Sequence, residues 1–316
     1  MKTLGVKENT TLRFYPKGNP NLRLFALWYF ALLITVWWVG GILYLGFEQS
    51  WLQFMVAIGA AMGMQWLLMR VHCTTHDFRP PWQGGFMKLA IFLIPAYIPG
   101  VAVAMLIYPN ERLTPVIFAA VLAIASKAIF RAPVGEGQTQ HIFNPSNLAI
   151  TVTLFLFPAA VGFAPPYHFT ENISGIWDWV VPGVVLLSGI LVHAVSTGRL
   201  PLILAWLIGF IAQGLLRSFI FGTPMLAPLA PMTSVGFVLF TLYMLPDPGT
   251  TPIKWRTQVL FGLTVAIVYG FLQVFHVLFG LVVSLTLVCA MRGIWLHLVD
   301  LKGGAPSRSV PDPAQA

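Results

Sequence analysis

Charge is what this sequence has least of. Charged residues fill 9% of its 316 positions, only ten of them acidic, while 57% are hydrophobic; soluble domains carry about 25% charged and roughly 45–50% apolar residues. The deficit excludes a soluble globular domain and leaves an integral membrane protein. Cysteine is almost missing: Cys73 and Cys289 are too few for a disulfide framework, and neither belongs to a C-x-x-C or zinc-type spacing. A basic recognition segment is also lacking. The +8 formal charge comes from Lys and Arg spread over loops and tails, so it speaks of membrane orientation and of the lipid bilayer, with no nucleic-acid partner expected. Finally, no small-residue cleavage site follows the first apolar run, and about two dozen polar and basic residues precede it. The first span is therefore expected to be retained.

What is present is a series of apolar runs. A hydrocarbon core about 30 Å thick takes around 20 helical residues, and on that ruler the sequence predicts an all-α membrane fold of about ten spans: Leu24–Leu45, Trp51–Met69, Leu89–Tyr108, Thr114–Phe130, Pro145–Gly162, Ile176–Val195, Leu200–Phe221, Thr233–Leu245, Val259–Phe275 and Leu278–Leu296. The eighth is too short to cross alone, so it borrows from the preceding MLAPLAP or is a broken helix. A tail over residues 1–23 and another over 298–316 flank the membrane domain, 24–297. With ten spans and a cytoplasmic N-terminus, every Lys and Arg except Arg112 and Arg217 falls on the cytoplasmic side, which puts both termini there. Five spans per half also force the second half to be inverted. Inverted repeats with broken helices are a recurrent transporter design, and YPNERLTP (Tyr108–Pro115) and LPDPGTTP (Leu245–Pro252) share a faint P-[N/D]-x-x-x-T-P echo.

Polar chemistry concentrates in two places. In RAPVGEGQTQHIFNPSN (Arg131–Asn147), Asn144 is a good N-cap and Pro145 suits a first helical turn, so one reading is simply a capped fifth helix. The other notes that Gly135 and Gly137 allow close backbone approach while Gln140, His141, Asn144 and Asn147 bring donors to a positive helix end, a combination suited to an anion or a flat, acceptor-rich heterocycle. In MLPDPGTTP, Asp247 sits between two prolines with Pro248 and Thr250 beside it. That is either a solvated turn or an oxygen-rich setting for a cation. HCTTHDF (His72–Phe78) places two His around a Cys in an expected loop, but no second cluster matches it and no metal is expected. Gln65, Gln213 and Gln273 read as helix–helix hydrogen-bonding groups. Trp28, Trp51, Trp82, Trp177, Trp179, Trp255 and Trp295 read as an interfacial belt.

Together, SKAIFRAPVGEGQTQHIFNPSN and LYMLPDPGTTP resemble the membrane-subunit family that contains RnfD of the Rnf complex and NqrB of the sodium-pumping NADH:quinone reductase. The likeness rests on Lys127, Gly135, Gly137, Asn144-Pro145 and Pro246-Asp247-Pro248-Gly249-Thr250, and follows the span order over roughly 24–297. It implies a multi-pass subunit of the bacterial cytoplasmic (inner) membrane, other membrane and peripheral redox subunits as partners, and a non-covalent flavin, FMN or riboflavin, near the loop before the Asn-Pro helix. That site would use Lys127, Gly135, Gly137, Gln140, His141, Asn144 and Asn147. The family's Asn-x-x-Asn-Pro stands here as His141-x-x-Asn144-Pro145. Its S-G-A-T element, which carries covalent FMN, is missing: the corresponding loop offers only Thr170. Covalent FMN is therefore not expected, and the chain is nearer the divergent UnbU-like branch named from enediyne gene clusters. The leading expectation is an electron-conducting subunit without a catalytic residue of its own, with coupling to ion movement as an extension. Its rivals are a cofactor-free carrier or channel for a small solute and a membrane scaffold in a biosynthetic assembly.

Overall fold

The structure, a computed structural model, describes residues 20–76, 79–110, 112–135, 138–163 and 172–302. It is mostly helical. Among the described residues ten α-helices follow one another: α1 (Pro20–Gly40), α2 (Trp51–His76), α3 (Phe86–Leu106), α4 (Thr114–Ile129), α5 (Pro145–Leu156), α6 (Trp177–Val192), α7 (Leu200–Phe221), α8 (Val235–Leu239), α9 (Trp255–Val274) and α10 (Gly280–Lys302). Six of them, α1 with its continuation to Leu45, α2, α3, α7, α9 and α10, are long and apolar enough to cross a membrane. Of the other four, α4 matches its apolar run to within a residue and α6 continues as a π-helical turn, His193–Thr197, whereas α5 and α8 fall short. Helix α5 stops at Leu156, and α8 continues only as a π-helical turn, Phe240–Met244. At 1.5 Å per residue these two reach about 18 Å and about 15 Å, half a bilayer each.

Two sequence expectations change here. The His72–Phe78 stretch is not a loop as far as it is described: α2 runs on through His76, and the Thr74 and Thr75 hydroxyls bond back to Val71 O as helical side chains do. Nor do the cations all lie in loops and tails. Lys127, Arg217 and Arg292 lie within helices, and Lys127 is buried.

Helix α3 carries its own discontinuity. Pro95 and Pro99 have no N–H to give to Ile91 O and Pro95 O, so two carbonyls inside the helix are left without their intrahelical donors. Along the chain, α1 packs on α3, α2 on α4 and α4 on α5; in the second half α6 packs on α8, α7 on α9 and α9 on α10. Helix α3 also packs closely on α2. Two short antiparallel pairs finish the layout: β1 (Ile107–Tyr108) with β4 (Gly162–Phe163) at one end, and β2 (Arg131–Gly135) with β3 (Gln138–His141) at the other. An aromatic cluster of Trp206, Phe210, Phe237, Phe240 and Tyr269 fills the space between α7, α8 and α9. The belt tryptophans Trp28, Trp51, Trp177, Trp179, Trp255 and Trp295 are all exposed.

Among the glutamines, Gln213 bonds to Phe210 O and Arg217 within its own helix. Bonds between elements are made by Gln49 and Gln53, which donate to Met105 O, Ala104 O and Ile107 O and fasten the start of α2 to the end of α3, and by Gln258 of α9, which donates to Gly198 O.

Candidate functional site at the junction of the two halves

The start of α5 and the turn after α8 meet face to face. Asn144 caps α5, its Oδ1 accepting from Asn147 N at 3.0 Å and from the Ser146 hydroxyl at 3.0 Å, and its Nδ2 donates to Met244 O at 3.0 Å. One side chain thus closes the helix start of the first half and the π-turn of the second. Asn147 Nδ2 donates to Val282 O (2.9 Å) and Thr286 Oγ1 (2.8 Å) of α10, and Thr151 adds a bond to Thr286. Gln140 Nε2 reaches Pro248 O at 3.3 Å. Arg292, one of the groups that the sequence reading did not single out, donates to Thr250 O at 2.9 Å and to Gln140 Oε1 at 3.4 Å. An arginine in an apolar run is a readable signal in itself, because an intramembrane charge is costly enough to demand partners.

Asp247 faces His141, Oδ2 to Nε2 at 3.7 Å, and its Oδ1 accepts from Gly249 N at 3.0 Å. A Cβ on Gly249 would run into the His141 ring, so the close approach of hairpin and turn requires glycine there. Burial alone would raise the Asp247 carboxyl. The contact with His141, the Gly249 N–H and the charge of Lys127 outweigh it and hold the carboxyl below its ordinary range. A depressed pKa contributes stability above the unfolded value, near 3.9, and that contribution is lost as pH falls through the folded value. Asp247→Asn keeps the Gly249 acceptor and removes the charge. It is expected to melt below the native protein at pH 7, by a margin that narrows as the pH is lowered below about 3.9, which paired melting curves of the two proteins in detergent will read. Thr250 and Thr251 spend their hydroxyls on Asp247 O, and with Lys127, His141 and Arg292 around it the turn holds a carboxylate among basic groups rather than an oxygen cage for a cation.

Beside this junction lies a cavity of about 290 Å³, at the small end of the roughly 300–1,000 Å³ of ligand pockets. Its walls are apolar, with Phe30, Ile34 and Trp37 from α1, Pro95, Pro99 and Ala102 from α3 and Leu242 from the π-turn. Lys127, His141, Asn144 and Asp247 gather at one side. Lys127 is 6% exposed, and its ammonium donates to Pro95 O at 2.6 Å, the carbonyl that Pro99 cannot serve. Pro95 is the tenth residue of α3, so the ammonium meets that helix about 14 Å from its start and about 17 Å from its end.

A census of the polar lining groups shows how little is left for a ligand. Asn144 and Ser146 are used as above. His193 is held at both ring nitrogens, by Thr197 Oγ1 (2.7 Å) and Leu242 O (2.6 Å), and Tyr243 OH by Ser188 and Val185 O. Among the described residues, three lining groups keep capacity: the Lys127 ammonium, with one of three N–H groups engaged, the second ring nitrogen of His141, and the buried Trp37 indole N–H, which lies near the Tyr243 hydroxyl.

The structure therefore brings Lys127, Gln140, His141, Asn144, Asp247, Pro248 and Thr250 to one junction. Asn147 lies one turn further along α5, against α10. Gly135 pairs with Gln138 at the end of the hairpin, while Gly137 and Thr170 lie outside the described residues. Missing from the sequence reading were the lining residues of α1 and the Pro95–Pro99 pair; the proline spacing of four was the visible signal, since it removes one helical donor from one named carbonyl. The sequence matches no protein-family model and no curated protein.

Proposed function

We propose that the chain is a carrier for a small organic solute, bound at mid-depth in the cavity between two inverted halves of five spans each, in the bacterial inner membrane with both termini cytoplasmic. One observation carries the reading: polar groups of both halves converge beside an apolar cavity, yet nearly all of them are consumed in holding the halves together. The repeat is supported by matching packing partners, α1 with α3 as α6 with α8, α2 with α4 as α7 with α9, and α4 with α5 as α9 with α10. Half-length helices that end near the bilayer centre are the setting in which transporters place substrate sites.

A second reading, a redox subunit of an Rnf/Nqr-like complex, is favoured by the meeting of the two resemblance motifs at the cavity mouth. The flavin it implies finds a poor set of partners. The acceptor-rich edge of a flavin ring asks for several donors, whereas the side chains of Gln140, Asn144 and Asn147 are already bonded across the junction. Lys127, the Trp37 indole N–H and the second ring nitrogen of His141 are what remains for it.

The absorption spectrum of the detergent-purified protein, followed by reconstitution in liposomes, separates the two. The expected result is a colourless protein that releases or takes up solute in a saturable way. A flavin spectrum near one equivalent per chain that disappears on denaturation would reject the carrier and establish the redox subunit.

A further inference from the structure

The chemistry of the solute can be taken further, on the premise that the cavity is the binding site. We infer that the cavity binds an organic monoanion with an apolar body, its carboxylate-like head on Lys127 and its body against Phe30, Ile34, Trp37 and Leu242.

Three observations lead there. Among the described residues, the donor census leaves Lys127 as the one lysine or arginine of the lining, with two N–H groups unused, beside the second ring nitrogen of His141; an ammonium offers donors only. Asp247, the one carboxylate in the described lining, is already met by Gly249 N, His141 and the Thr250 hydroxyl, so it offers a cationic or donor-rich ligand little. The remaining walls are apolar side chains, and a polar body buried there would lose its water without replacement bonds. Asp247 limits the number of heads: a dianion would bring its second charge towards that carboxylate. Helix α1 is fastened to α3 through Thr35 and Trp38, which both bond to Tyr97 OH (2.5 and 3.2 Å), and meets the second half through Phe30 against Tyr243, ring centroids 5.4 Å apart.

Phenylacetate, its neutral isostere phenylacetamide and the dianion phenylmalonate test the inference by calorimetric titration of the whole protein in detergent. Phenylacetate is expected to bind at least ten-fold more tightly than either of the others. In Lys127→Gln, which keeps an N–H donor on a side chain one bond shorter, phenylacetate and phenylacetamide should differ by less than three-fold while phenylacetamide binds as before. Ala102→Phe, which fills the cavity, should abolish binding of all three; Leu32→Phe on the exposed face of α1 should change nothing, and unchanged gel-filtration profiles separate lost binding from lost fold. Equal affinity for acid and amide in the native protein, or no saturable binding of any probe, overturns the inference. Tight binding of the acid without its movement into liposomes leaves the site standing and removes the carrier, whereas transport of neutral solutes alone does the reverse.

Discussion

Gly262→Ala is expected to lower the melting temperature of the purified protein by several degrees, and Gly63→Ala to raise it. Both substitutions add one methyl to a glycine in the middle of a long apolar helix, so propensity predicts the same gain for each, about 0.5–1 kcal/mol. Their surroundings set them apart. A Cβ on Gly63 meets nothing within 4 Å. On Gly262 it would stand 2.5 Å from Leu202 O and 3.0 Å from Trp206 N, both backbone atoms of α7. A side chain could turn aside, but backbone cannot do so without moving the helix, and overpacking of this kind costs about 1–3 kcal/mol. Gly262, Gly209 and Gly270 let α9 and α7 approach as small residues do in membrane interfaces. Thermal unfolding read by gel filtration checks the pair; a neutral Gly262→Ala would show that α7 and α9 are not this close.

Asn144→Asp is expected to unfold more easily at pH 8 than at pH 5, by a margin that the native protein does not show. As a helix cap alone, Asp serves about as well as Asn, and the substitution would be nearly silent. Asn144, however, also donates to Met244 O from a position only 6% exposed. In the variant, an ionised aspartate in that place would set a buried carboxylate against the Met244 carbonyl, leaving an acceptor unpaired at a cost of about 1–3 kcal/mol or more. Protonation restores the donor. The folded-state pKa of the new acid is therefore raised above its unfolded value near 3.9, and each unit of that rise removes about 1.4 kcal/mol once pH exceeds both values. Asn144→Leu, which loses cap and donor together, should be destabilised equally at both pH values. Equal melting of the Asp variant at pH 5 and pH 8 would mean that the bond to Met244 contributes nothing.

The cap at Asn144-Pro145 was legible because it needs only local chemistry: a short acceptor three residues before the amide it satisfies, and a proline where no N–H is wanted. The second bond of Asn144 was not, since Met244 lies 100 residues away. His141 shows the same division. Its place in the motif suggested a donor for a ligand, but the structure gives it Asp247 as a partner, a pairing that depends on Gly249 leaving room for the ring. Lys127 stood at an expected cytoplasmic helix end and, by the resemblance, beside a flavin; the vacancy made by Pro99 one helix away gives it a buried partner.

By itself the sequence determined the class and the local rules. Scarce charge and repeated apolar runs force a helical membrane protein, because inside a bilayer each backbone polar group needs a partner within its own segment. Proline and asparagine fix where helices start. Only the tertiary structure decided which helices reach across and which stop half-way, and which polar side chains serve the fold and which remain for a ligand. The reason is one of distance: hydropathy reports whether a residue tolerates lipid, but whether a donor is already spent depends on a carbonyl brought to it from another part of the chain. At this junction that accounting leaves little besides one ammonium facing an apolar cavity.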